Sequence, residues 1–90
     1  MTPVFSSPGN WRWDRHRDVV HLGAWLNSSL VICRVSREAI EDHCVDTPTP
    51  SACLEAAKRR AEDITKRLGD LIDQGRFEMD GSVLLRSVDW

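Results

Sequence analysis

The sequence contains no tyrosine and few cysteines, three in 90 residues. Cys33, Cys44 and Cys53 are odd in number and irregularly spaced. This arrangement argues against a disulfide framework and predicts a reducing, cytoplasmic location. No two cysteines have the close spacing that is usual in zinc sites, and His43 would point to a different side of a helix from Cys44. We therefore expect no metal and no cofactor.

Long apolar runs and a dominant charge are also missing. No stretch approaches the roughly 18 apolar residues of a membrane span, and no charged leader precedes a shorter apolar segment. We therefore expect neither membrane insertion nor a secretory signal. The formal net charge is only −2, which gives no general attraction to nucleic acid or to anionic membranes. No glycine pattern that would cradle a phosphate is present.

The longest regular pattern lies in residues 49–75 and predicts one long helix. Apolar residues recur there at alternating steps of three and four, which places them on one side of a helix. They are Leu54, Ala57, Ala61, Ile64, Leu68 and Leu71, with Cys53 and Ile72 at the edges. Thr49 is the predicted N-cap, Pro50 the first helical residue and Gly75 the left-handed residue that ends the helix. Gly69, inside the pattern, costs about 1 kcal/mol relative to alanine.

The segments before this helix predict a hairpin and a short helix. Residues 18–25 alternate loosely between apolar and polar, and residues 30–35 are nearly all apolar. Turn residues separate the two runs, so we predict an antiparallel hairpin. Ser36 is the predicted N-cap of a short helix that follows it.

The segment after the long helix predicts a second hairpin. Asp80-Gly81 lies between the alternating residues 77–79 and 83–88, and this dipeptide is a strong signal for a tight turn between strands. The predicted fold is therefore α+β. We expect an antiparallel sheet of three or four strands with one short and one long helix, in the order β-β-α-α-β-β.

The domain boundary is predicted near residue 13. Residues 1–12 hold Pro3, Pro8 and Gly9 among serines, a composition that favours a flexible N-terminal arm. Residues 13–90 are predicted to form a single α+β domain, which is consistent with the size of the chain.

Tryptophans and arginines define the predicted interaction surface. It consists of Trp11, Arg12, Trp13, Arg15, Arg17, Trp25 and Trp90. In residues 11–17 the arginines would neutralise phosphates while the indoles stack on unpaired bases. The interpretation that we favour is that Trp11 and Trp13 cover the edge of a small core. Trp25, beside a turn, and Trp90 are expected to be exposed, and exposed aromatic residues mark partner surfaces.

No catalytic arrangement is visible in the sequence. The paired carboxylates Glu41-Asp42 and Glu62-Asp63 lie on helical faces that solvation and ion pairs already explain. Cys33 and Cys53 fall on apolar faces, where cysteine usually serves as a small hydrophobic residue. We therefore expect no enzyme activity and no catalytic residues.

The sequence resembles a known family over nearly its whole length. The resemblance rests on VICRVSREAI at residues 31–40, VVHL at residues 19–22 and Trp13. It extends to Arg59 or Arg60, Ile64, a glycine-bearing turn, and residues 83–88 followed by Asp89. These features are similar to the small bacterial domains of the domain-of-unknown-function family 1488 (DUF1488). The resemblance implies a bacterial, stand-alone α+β domain and assigns no catalytic or binding residues.

Together these observations predict a small cytoplasmic bacterial protein that acts by non-catalytic contacts. We expect a protein-interaction or regulatory module that forms a homodimer and has an unknown protein partner. The thin core, the surplus tryptophans and the coiled-coil-like three-four spacing of the apolar stripe motivate this hypothesis. The alternative is a nucleic-acid-binding accessory protein that uses residues 11–17.

Overall fold

The computed structural model describes residues 2–90, which form five strands and three α-helices. The strands are β1 (Val4–Phe5), β2 (Arg12–Asp14), β3 (Val19–Leu26), β4 (Ser29–Ser36) and β5 (Val83–Leu85). The helices are α1 (Arg37–His43), α2 (Pro50–Arg59) and α3 (Ala61–Asp73), and short 3-10 turns span Pro8–Asn10 and Ser87–Asp89. The α+β class is confirmed.

The predicted first hairpin forms the centre of the sheet. Strands β3 and β4 pair antiparallel along their full length, from Val19 opposite Ser36 to Leu26 opposite Ser29. Asn27 takes a left-handed conformation, with φ of 59°, in the two-residue turn between them, and asparagine tolerates that conformation better than most residues.

Strands β1 and β2 lie end to end along the same side of β3. Phe5 pairs with Ala24, and Trp13 pairs with Val20. Between them, the Trp11 indole is 2% exposed and donates to the Ser6 carbonyl at 2.9 Å. Within the described residues 2–12, the predicted arm thus contributes a strand and a core residue to the domain. Met1 lies outside the described residues.

The predicted second hairpin is wrong, and the sheet is mixed. Strand β5 pairs parallel with β4, with Cys33 opposite Val83 and Val35 opposite Leu85. The three helices carry the chain across the sheet between these two strands, as parallel pairing requires. The order in residues 2–90 is therefore β-β-β-β-α-α-α-β. A turn does form at this point, but Met79 and Asp80 are its central residues instead of the predicted Asp80 and Gly81: the Gly81 N–H donates to the Glu78 carbonyl at 2.9 Å, and Gly81 has φ of +85°.

The predicted long helix is divided in two at Arg60. This residue leaves helical geometry, with φ of −104° and ψ of 26°. Helix α2 contacts β2 and β3, whereas α3 contacts β5. The two helices therefore pack on different parts of the sheet. The predicted caps are confirmed: the Thr49 hydroxyl accepts from the Ala52 N–H at 3.1 Å, and Gly75 has φ of +68°.

The core lies between the helices and one face of the sheet. The buried apolar stripe continues across the break in the helix, with Cys53, Ala57, Ile64, Leu68 and Leu71 all packed inside. The periodicity was therefore correct even though the helix is not continuous. No helix within residues 2–90 has the length and apolar character needed to span a membrane.

Candidate functional site

One face of the sheet carries no helix from the described part of the chain. Strand alternation and register divide the side chains between the two faces. One set packs into the core with the helices, and the other set defines what we call the helix-free face. Its residues are Val4, Arg12, Asp14, Val19, His21, Gly23, Trp25, Leu30, Ile32, Arg34, Ser36 and Leu84.

An apolar row crosses one end of the helix-free face. Val4, Trp25 and Leu30 are direct neighbours on β1, β3 and β4, and they are 66%, 50% and 51% exposed. Ile32 extends the row along β4. A Cβ atom at Gly23 would lie 3.1 Å from Leu30 Cδ1, so the glycine gives the leucine room to lie across the sheet. We call Val4, Trp25, Leu30 and Ile32 the apolar patch.

A row of basic residues crosses the middle of the same face. Arg12, His21 and Arg34 occupy matching positions on β2, β3 and β4. Leu84 of β5 is next to Arg34. The row separates the apolar patch from the far end of the sheet.

A cleft of about 480 Å³ occupies that far end. Its floor is formed by Val19, Arg34 and Leu84, and residues 78–82 form one wall. The Asp80 carboxylate accepts hydrogen bonds from the Ser82 hydroxyl at 2.5 Å and the Ser82 N–H at 2.9 Å. These bonds, with the nearby Arg34 guanidinium, hold the pKa of Asp80 below its usual value.

The seven predicted surface residues do not form one surface. Trp25 and Arg12 lie on the helix-free face, while Arg15 and Arg17 are exposed in the turn between β2 and β3. Trp11 and Trp13 lie on the other side of the sheet, where Trp11 is part of the core and Trp13 packs against it. The favoured interpretation of these two indoles as core cover agrees with their positions. A buried Trp11 side chain is not accessible to stack on a base.

Trp90 is half-buried and packs on the helical side. Its ring stacks on His43 with centroids 5.0 Å apart, and the Arg60 guanidinium lies 5.3 Å from the Trp90 ring centroid. The indole N–H donates to Asp63 at 2.7 Å, as does Arg60. The bond from Trp90, together with Arg60, lowers the pKa of Asp63. Trp90 therefore fastens the C-terminal turn to α1 and α3, contrary to the exposed position predicted for it.

The cysteines are placed as structural residues. Cys33 and Cys53 are buried, and Cys44 is half-buried. Burial raises the pKa of the Cys33 thiol to about 12 and raises those of Cys44 and Cys53. Within residues 2–90, no group of three or more His, Cys, Asp or Glu side chains converges as a metal site would require.

Sequence reasoning missed several residues of the helix-free face. Val4, Leu30 and Arg34 were not assigned to a surface. Val4 lies in the segment predicted to be a flexible arm, and residues 30–35 were considered only as one strand of a hairpin. Arg34 was the residue in the sequence that could have indicated this exposed face. It is the one charged residue in residues 30–35, and a charge on a central strand indicates that one face of the strand reaches water.

The architecture defines a class: an α+β domain with a mixed sheet, three helices on one face in residues 2–90, and the opposite face uncovered by them. The chain belongs to the family described as protein of unknown function (DUF1488), whose family model matches residues 5–85. The resemblance drawn from the sequence is confirmed.

A solved structure shows the same fold. It is the crystal structure of a protein of unknown function from the DUF1488 family of Shewanella loihica PV-4, with a TM-score of 0.84 and 18% sequence identity. The match covers 93% of this chain and 91% of that one. No match was found among curated proteins.

Proposed function

We propose that this protein is a non-catalytic interaction module that pairs with a second copy of itself through the apolar patch. The observation that carries the proposal is the row of Val4, Trp25 and Leu30, each at least half exposed on adjacent strands. Clustered apolar side chains on a sheet face lose unfavourable water contact when another surface covers them.

A second copy suits this surface because two copies repel each other only weakly. The whole chain carries a net charge of only −2, and so small a charge opposes association little. A two-fold axis through the patch would bring Trp25 of each copy against the other, as in the self-matching interface of a symmetric dimer. The helical stripe is already buried in the core, so the sheet face supplies the proposed interface.

The non-catalytic part of the proposal is supported by the state of the reactive groups. Burial keeps Cys33 in its neutral thiol form, and His43 is stacked on Trp90 and bonded to the Ser87 carbonyl at 3.2 Å. We place the protein in a reducing bacterial cytoplasm, since its three cysteines are unpaired in the described residues 2–90.

Sedimentation equilibrium across a micromolar concentration series tests the dimer. We expect the wild-type mass to approach twice the monomer mass, and Leu30→Ser to remain monomeric at the same loading. Val88→Ser is the matched control, because Val88 is 90% exposed and lies outside the helix-free face. Circular dichroism checks that both variants are folded. A concentration-independent monomer mass for the wild type would contradict the proposal.

Nucleic-acid binding is the second candidate, and the basic row favours it. Arg12 and Arg34 flank His21 on the face that also exposes Trp25. Sheets that bind single strands combine such cations with stacking aromatic residues. A single-stranded oligonucleotide at low salt would quench Trp25 fluorescence if this were the function, and Arg12→Ala would weaken the effect. Absence of binding at low salt would remove this candidate.

A further inference from the structure

The cleft at the far end of the helix-free face lies apart from the proposed dimer interface. Val19 and Trp25 are six residues apart on β3, a distance of about 20 Å along a strand. The cleft volume of about 480 Å³ is within the usual range for small-molecule sites. Occupation of the cleft can therefore be examined separately from pairing through the apolar patch.

The acidic side chains around the cleft already have hydrogen-bond donors. Asp80 accepts twice from Ser82 and lies 3.6 Å from Arg34. Glu78 accepts from Arg86 at 2.9 Å. These contacts satisfy part of the demand of each carboxylate for donors, which leaves the acids poorly suited to hold a cationic ligand.

The two arginines of the cleft have donors to spare. Arg34 Nη1 donates to the Ser82 hydroxyl at 2.8 Å, and the Arg34 Nε atom is buried without an acceptor within residues 2–90. Arg17 makes a long contact with Asp14, 3.3 Å, and its side chain is 59% exposed. A guanidinium carries five N–H donors in a plane that matches a carboxylate. The unused hydrogen-bonding capacity of the cleft is therefore on its cationic side.

Apolar groups complete the cleft. Val19 and Leu84 form part of the floor, and Met79 stands on the wall with its side chain in solvent. A ligand with a short apolar chain would cover these groups while its head met the guanidinium groups. We propose that the cleft binds a small organic monocarboxylate with a short apolar chain, held at its head by Arg17 and Arg34.

The test uses octanoate as the probe, followed by isothermal titration calorimetry and by amide chemical shifts. We expect saturable octanoate binding, with shifts concentrated at residues 17–19, 34 and 78–84. Octylamine has a similar chain and the opposite charge, and we expect it to bind at least ten-fold more weakly. Equal binding of both probes, or no saturable octanoate binding, would overturn the proposal.

Two variants assign the head contacts. Arg17→Ala and Arg34→Met should each weaken octanoate binding about ten-fold, because each removes charge-assisted hydrogen bonds. Arg15→Ala is the matched control, since Arg15 is exposed in the same turn and does not line the cleft. Arg17 is largely exposed, so Arg17→Ala remains informative if Arg34→Met impairs folding. Unchanged affinity in Arg17→Ala would overturn the assigned role of Arg17.

Discussion

At the scale of single residues, Trp90 connects more parts of the chain than its terminal position suggests. Its ring covers His43 of α1, and its N–H reaches Asp63 of α3. Arg60 adds a bond to the His43 carbonyl at 2.7 Å and another to Asp63. The point where α2 and α3 diverge is thus held by side chains from three separate segments.

The Trp90 contact has a measurable consequence for the ionisation of Asp63. In Trp90→Phe, a ring remains to stack on His43 but the N–H donor is lost. We expect the pKa of Asp63 to rise toward its ordinary value of 3.8, because the charged form loses its principal hydrogen bond. Carboxyl carbon NMR across an acid titration measures this change.

The sign of the stability effect follows from the lowered pKa. When the pKa of a carboxyl group is lower in the folded state than in the unfolded state, its ionisation stabilises the fold at any pH above the unfolded-state pKa. That contribution is lost as the pH falls through the folded-state pKa. Trp90→Phe should therefore begin acid unfolding at a higher pH than the wild type. Trp25→Phe is the control, since Trp25 lies on the opposite face of the sheet, and an unchanged Asp63 titration in Trp90→Phe would refute the assignment.

At the scale of elements, one glycine lies inside α3 and another follows it. Substituting each by alanine tests two effects separately: helix propensity at the first and left-handed backbone conformation at the second. Gly69 lies inside α3, and Gly75 follows it with φ of +68°. Apart from the glycine, its two chain neighbours and, for Gly69, the adjacent helix backbone, no described atom lies within 4 Å of a Cβ added at either position. Clash with other parts of the fold is therefore removed as a variable.

Gly69→Ala should increase the free energy of unfolding by about 0.5–1 kcal/mol, because alanine loses less backbone entropy in a helix. Gly75→Ala should decrease it by about 1–2 kcal/mol, because a side chain is strained in the left-handed region. Urea denaturation of the two variants gives both values. The interpretation would fail if the two substitutions had effects of the same sign.

The elements also mark the limit of what the sequence could predict. The caps at Ser36 and Thr49 follow from nearby residues, and these predictions are confirmed. The turn near Asp80-Gly81 also has a local signal, although it is centred one residue earlier than predicted. The parallel pairing of β5 with β4 joins residues 50 positions apart, such as Cys33 and Val83, and a local turn signal carries no information about a partner at that distance. Arg60 is neither proline nor glycine, so the break between α2 and α3 had no local signal of its own.

The candidate site was predicted only in part for a related reason. Trp25 and Arg12 were recognised by residue type. The apolar patch exists because β1 brings Val4 beside Trp25, a contact between residues 21 positions apart. The side chains of the helix-free face come together through strand pairing between residues that are far apart in the sequence. Composition alone does not predict that pairing.

At the scale of the whole molecule, residues 4–11 pack with the rest of the described chain. The Ser6 N–H and hydroxyl both bond to Gly23, at 2.9 Å and 3.1 Å, and the Ser6 carbonyl accepts from Trp11. Phe5 packs against the core. Removal of this segment affects the interior as well as the edge of the sheet.

A chain that begins at Pro8 should lose about 2–4 kcal/mol of unfolding free energy, because the Trp11 indole loses its acceptor and Phe5 is no longer buried. A chain that begins at Val4 is the control and should change by less than about 0.5 kcal/mol. Chemical denaturation measures both. Equal stability of the two truncated chains would instead support the predicted flexible arm.

The interrupted pairing along β3 affects how copies of the protein can add to one another. One edge of the sheet consists of β1 and β2, two and three residues long, with Pro8 between them. The other edge consists of the three-residue β5 and of residues 29–32 of β4, which pair only with β3. Short edge strands, and edges interrupted by proline, are poor templates for the addition of a strand from another chain. Growth of cross-β fibrils from the native state is therefore disfavoured along β1 and β2, whereas residues 29–32 of β4 are the part of the described sheet where another strand could add.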